Sequence, residues 1–244
     1  MGRLENKKYI DEIGIQSLMC NTNMGSKIYI LKNNKVYKKL PPEYSDLRRK
    51  INRSFKDDLL EQTEYHGHPI INFPETIISS DKWLSGIISE YIQGEEFANI
   101  SPLEKVDYLL YIIDYMEQGL SSILYKGWTL EDIHEENILI TQDESHPIKI
   151  IDTDFYTRTD SKDELILLQN YRNNMANIFH TIMNVILPKF DQTTIFNHPR
   201  IQKKYIEAIS GKITCSEFLK EMLIVIKFSQ KKEQNIISLQ KSIV

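Results

Sequence analysis

Apolar residues recur along this chain with two different periods, and the change comes near residue 94. Over residues 26–31 (SKIYIL) and 35–40 (KVYKKL), Ile, Val and Tyr are interleaved with Ser and Lys, which is the texture of strands. Asn33 and Asn34 lie between them, and Asn tolerates the positive φ that a tight hairpin turn demands. Alternation then puts Val36, Lys38 and Leu40 on one face and Tyr37 and Lys39 on the other. Pro41-Pro42 ends the second strand, because proline lacks the ladder donor. Ser45-Asp46 is expected to cap a helix running to about Tyr65, with Leu47, Ile51, Phe55 and Leu59 at four-residue spacing. His66-Gly67-His68-Pro69 stops it, and two further strands are expected over 75–79 and 84–91.

Beyond Gly94 the apolar pattern becomes helical. Residues 102–125 carry a near-continuous 3.6-residue period with a Ser101-Pro102 start, and Gly127 ends the run. Short apolar strands are expected over 137–140 and 148–151, followed by helices over 163–187, 200–209 and 216–228. The expected layout is α+β: a small β-rich lobe over 1–92 and a larger helical lobe over 93–244, joined near residues 91–94.

Composition narrows the class. Of 244 residues, 41% are hydrophobic and 26% charged, enough apolar material for a sizeable core and too much for a disordered chain. Thirty basic residues against 34 acidic ones leave a net charge of -4, which argues against a nucleic-acid partner. No run of about 18 uncharged apolar residues suggests a membrane span. Two cysteines, Cys20 and Cys215, are too few for a disulfide framework, so a cytoplasmic location is expected.

The segment that bears chemistry is 126–160, KGWTLEDIHEENILITQDESHPIKIIDTDFYTRTD. Asp132 precedes Asn137 by five residues, Asn137 opens an apolar strand, and Asp152 closes a second one. A strand–turn–strand hairpin would bring Asn137 and Asp152 to the same sheet edge. Carboxylate and carboxamide oxygens converging there suit Mg²⁺, a hard cation that keeps positions open for water and phosphate. Asp132, on the loop before the hairpin, is left to orient a hydroxyl.

In this order the residues resemble the protein kinase-like superfamily, whose signature is a catalytic Asp, four residues, a metal-binding Asn and a later metal-binding Asp. The resemblance implies a bilobal fold, ATP and Mg²⁺ as cofactors, Asp132 as the catalytic residue, and Asn137 and Asp152 as metal ligands. Val36-Tyr37-Lys38 resembles the third-strand V-x-K element, so Val36 would pack near adenine and Lys38 would hold the α- and β-phosphates. Residues 90–94 (EYIQG) resemble the hinge, with the backbone of Glu90 and Ile92 bonded to adenine. Glu61 is the expected helix carboxylate for Lys38, with Glu64 and Asp57 as competitors.

Departures from the pattern bear on the acceptor. Leu130-Glu131 stands where the family has His-Arg or His-Gly, so control through an activation-loop phosphate is not expected. His134, two residues after Asp132, resembles the D-x-H-x-x-N of aminoglycoside and choline kinases. The glycine loop is reduced to Asn23-Met24-Gly25-Ser26, and Asp-Thr-Asp replaces D-F-G, with Asp154 as a further metal or structural carboxylate. The leading expectation is transfer of the γ-phosphate to a protein Ser/Thr hydroxyl. The alternatives are a small-molecule kinase, or a pseudokinase serving as a binding module. The sequence leaves the oligomeric state open. His66 and His68 read as a helix-ending turn rather than a metal pair, and Arg48-Arg49-Lys50, Arg53 and Lys56 as a solvated helix face.

Overall fold

The structure, a computed structural model, describes residues 4–22, 25–41, 55–80, 83–100, 106–186, 197–209 and 212–242. The expected cap at Ser45-Asp46, the apolar Leu47 and Ile51, the basic residues 48–50 and Arg53, the Ser101-Pro102 start and Asn23-Met24 lie outside them. The fold is mixed α and β, with eleven strands and six α-helices among the described residues. In order these are β1 (Leu4–Asn6), α1 (Lys7–Ile13), β2 (Ile15–Asn21), β3 (Lys27–Leu31), β4 (Lys35–Lys39), α2 (Phe55–Gln62), β5 (Thr76–Ser80), β6 (Trp83–Glu90) and β7 (Gly94–Glu96). There follow α3 (Val106–Leu124), β8 (Trp128–Thr129), β9 (Ile138–Thr141), β10 (Ile148–Ile150), β11 (Thr157–Arg158), α4 (Glu164–Ile186), α5 (Pro199–Ile209) and α6 (Cys215–Ser242).

These elements form two compact units, and the division is not at residue 92. Residues 128–132 and 137–159 group with residues 1–94, while 95–127, 133–136 and 160–244 form the other unit. The residues expected to do chemistry therefore share one unit with the large sheet.

That sheet has the order β1-β5-β6-β4-β3-β2. All its pairs are antiparallel except β1 with β5. The expected hairpin forms as β3 and β4, and Asn34 at its turn has φ 58°. Alternation decides what each face meets. Tyr37, on one face of β4, joins Leu31, Ile78 and Ile88 in a cluster that Ile10 of α1 completes. On the other face Leu40, Ile77 and Ile87 pack with Phe55 and Leu59 of α2. The sheet is thus covered on both sides, whereas the sequence pattern gave this region one helix and neither α1 nor β1. Strand β2, last in the sheet, is exposed at every residue, and its register against β3 shifts twice.

The second hairpin, β9 with β10, carries Asn137 at its entrance and Asp152 just past its exit. The far side of β10 is held by the segment after the helix-stopping turn. Ile150 donates to the Ile70 carbonyl at 2.7 Å, and Asn72 donates to that of Ile150 at 2.8 Å. Behind this hairpin the rings of Tyr65, Phe73, Trp128 and Tyr156 gather, with Phe73 centred 5.6 Å from Trp128 and 6.4 Å from Tyr156.

The second unit is helical. Along α3, Leu109, Ile112, Ile113, Met116 and Leu120 form a buried stripe at helical spacing, and α3 and α4 both pack on α6. The start of α6 is fixed by a capping box: Glu217 donates its N–H to Thr214 Oγ1, and Thr214 donates to the Glu217 carboxylate. Lys220 and Lys227 then tie α6 to Asp114 and Asp107 of α3. Among the described residues no helix is long and apolar enough to cross a membrane.

Candidate functional site

Asn137 ends a single 3-10 turn (Glu135–Asn137) and is buried at the mouth of β9. Its Nδ2 donates to the Asp132 carbonyl at 3.0 Å. Its own carbonyl accepts from Ile151 N at 2.9 Å, the residue before Asp152. One residue therefore fixes the backbone on either side of the site, and its Oδ1 accepts nothing from a described residue. Asp132 and Asp152 have φ of 58° and 60°; with Asn34 they are the three non-glycine residues of positive φ among those described. A left-handed aspartate costs free energy, and such strain collects where a side chain must be aimed.

Lys38 behaves differently from expectation. It lies on the β4 face that looks to α2 and is only 8% exposed. Its Nζ is shared between the carboxylates of Asp152 and Asp154, with 2.9 Å to Asp154 Oδ1. The Lys38–Glu61 pairing is thereby corrected: Glu61 meets Arg158 of β11 at 3.3 Å. Glu64 and Asp57 are exposed, Glu61 is half-buried, and the acid that α2 does bury is Asp58. The carboxylate that holds the lysine is Asp154, which is fully buried.

Burial works to lower the Lys38 pKa, but the charges and hydrogen bonds of Asp154 and Asp152 more than offset it and hold the ammonium above its ordinary value. Asp152 moves the other way from most paired acids. Burial, then the adjoining Asp154 carboxylate, outweigh the lysine and push it up to about 7. Two carboxylates sharing one ammonium keep an excess negative charge in a half-dry site, and a proton relieves it. The Tyr156 phenol is pushed up too, first by burial and then by the charges of Asp152, Asp132 and Asp154.

The raised Asp152 pKa has a sign in stability. The native chain binds more protons than the unfolded chain between the ordinary value of 3.8 and about 7, so this group's contribution is full below that range and is lost as pH rises through it. Urea melts at stepped pH should show wild type losing stability relative to Asp152→Asn across that window. Parallel curves would exclude the raised value.

The turn after Asp152 is braced by α2. Gln62, fully buried, accepts from Thr153 Oγ1 at 2.9 Å and donates to the Tyr156 carbonyl at 3.2 Å. Phe155 packs on the Leu40, Phe55, Leu59 cluster. β11 pairs with β8, and Thr157 Oγ1 donates to Glu131 at 3.1 Å. Glu131 thus anchors the start of β11. Neither Gln62 nor Thr153 was singled out in the sequence, for their types carry no signal without the turn that joins them.

The remaining expected residues are placed as follows. Val36 lies half-buried on the Lys38 face of β4. The Glu90 carbonyl accepts from Asn72 Nδ2 at 2.9 Å, and Ile92 is half-buried with its backbone N–H and C=O unpaired among the described residues. The glycine turn is closed on itself: Gly25, at φ 82°, donates to the Thr22 carbonyl, and Ser26 N donates to Thr22 Oγ1. His68 Nδ1 accepts from Ile70 and Ile71, so His66-Gly67-His68 is a turn.

Asn137 Oδ1 and the carboxylates of Asp152 and Asp154 are hard oxygens, a chemistry that suits a magnesium ion better than a soft metal, while no cluster of three or more His, Cys, Asp or Glu side chains placed to hold a metal occurs among the described residues. No protein-family model matches the chain, and no curated protein matches it.

Proposed function

We propose that the chain is a Mg-ATP-dependent phosphotransferase of protein kinase-like, bilobal type, delivering the γ-phosphate to a hydroxyl acceptor, in the first place a protein Ser or Thr. One observation carries this reading: Asn137 is bonded both to the Asp132 carbonyl and to the residue before Asp152, which gathers the three residues the chemistry requires. The element order supports it. Lys38 stands on the third strand of the antiparallel run β2–β3–β4, followed by a helix, two strands and the segment with Ile92.

In phosphoryl transfer the protein contributes mainly position and charge. Asn137 Oδ1 and Asp152 would hold Mg²⁺, which would supply positive charge against the negative charge that develops during the transfer. Lys38 would hold the α- and β-phosphates, and the free N–H and C=O of Ile92 are suited to the adenine edge. The exposed Asp132 carboxylate would accept the acceptor's hydroxyl proton, its backbone fixed by Asn137.

The self-closed glycine turn favours a second reading. Its Gly25 and Ser26 N–H groups are already used within the turn, so they offer no cradle to phosphates. This suits a pseudokinase that binds nucleotide without turnover. Calorimetry of ATP with and without Mg²⁺, on wild type and Asp152→Asn, separates the possibilities. Mg-dependent binding that the variant loses supports the metal–phosphate site, and release of phosphate from ATP then distinguishes an enzyme from a binding module. Absence of binding at millimolar nucleotide would sink both.

A further inference from the structure

We infer that Lys38 acts as an internal cation that keeps bare divalent metal out of the Asp152–Asp154 site, so that metal enters only together with an anion that draws the lysine away. The identity of that anion as a nucleotide's phosphates rests on the phosphotransferase reading. The exclusion itself rests on geometry.

The Lys38 ammonium bonds the Oδ1 atoms of both aspartates, and these are its polar partners among the described residues. It stands where a cation shared by the two carboxylates would stand. A magnesium ion seated on these two carboxylates would stand beside a buried ammonium, and the two positive charges would repel each other where little water screens them. Nor can the ammonium step aside at no cost. It is buried on β4, and Glu61, the helix acid that might have received it, is engaged by Arg158. Leaving both carboxylates to the metal would strand a positive charge beside a divalent one. A polyphosphate resolves the conflict, because it brings oxygens for the metal and negative charge for the lysine at once. Metal and polyphosphate are therefore positively coupled, and the coupling is reciprocal.

The test uses the full chain and metal alone. Binding of Mn²⁺ without nucleotide is followed by electron paramagnetic resonance, with Mg²⁺ as competitor. Lys38→Met should bind at least roughly tenfold tighter than wild type, within the usual range of such couplings. Asp152→Asn added to it should remove the gain, which locates the ion. Lys38→Met takes the ammonium from the buried Asp154 carboxylate and can fail to fold. A second comparison, Asp154→Asn against Lys38→Met/Asp154→Asn, differs only in the lysine and keeps Asp152; the double variant should again bind metal more tightly. Equal affinities in the pair that folds would overturn the inference, as would tight metal binding by wild type alone. ATP binding indifferent to Mg²⁺ would instead overturn the phosphotransferase reading, while a gain on removing Lys38 would leave the lysine's role standing.

Discussion

Asp132→Asn is expected to slow ATP turnover by about 10²- to 10⁴-fold, the usual contribution of a positioned general base. Mg-dependent ATP binding should be unchanged, because Asp132 meets Asn137, one of the proposed metal-holding residues, through its backbone carbonyl and not through its carboxylate. Asparagine is the right probe: it keeps the size of the side chain and accepts the left-handed φ of 58° that would strain most residues. Slow hydrolysis of ATP, with water as acceptor, gives the rate before any physiological acceptor is known. Calorimetry and a thermal melt on the same sample test binding and fold. A rate within a few-fold of wild type would remove Asp132 from the chemistry.

Lys38→Met should destabilise the chain by about 3–5 kcal/mol, since removing one partner of a buried pair leaves the other uncompensated. Asp154 is the acid that loses the ammonium, with no exposure through which water could take its place. Asp154→Asn in the same background should recover most of the loss, as the buried charge is then gone. Glu61→Gln serves as contrast. Its bond to Arg158 joins side chains about a third exposed, and such pairs contribute roughly 0–1 kcal/mol. Urea denaturation of the four proteins gives the order directly. A Glu61 variant as damaged as Lys38→Met would restore the helix acid as the group that matters.

The contrast between Glu61 and Asp154 also marks where the sequence stopped being legible. The hairpin of β3 and β4 could be read because alternation and the Asn33-Asn34 turn agree. The grouping of Asp132, Asn137 and Asp152 about one hairpin could be read because they flank two apolar strands in order. The partner of Lys38 could not. Asp57, Glu61 and Glu64 differ only in which way a short helix is rolled, and the sheet that sets this is remote in sequence. Asp154 lies two residues from Asp152, and the left-handed backbone at Asp152 lets both reach one ammonium. Elements too short or too exposed for a period were missed as well: β1 has three residues, and α1 buries Ile10 alone. Helix α6 continues to Ser242, past the expected end at 228, into a stretch whose interleaved Lys and Ile already suggested amphipathic helix without fixing where one helix ends.

Strand β2 bears on how the chain behaves at high concentration. Ile15, Leu18 and Met19 are each about half exposed on the outermost strand of the sheet, a composition that would ordinarily seed edge-to-edge growth between copies. The register shifts between Ile15 and Ser17 and between Leu18 and Cys20 interrupt the row of outward N–H and C=O groups, so an incoming strand meets no regular ladder to extend. Irregular backbone spacing of this kind works against fibre-like stacking, and deletions that removed both shifts would be expected to give copies a regular edge to extend without touching the core.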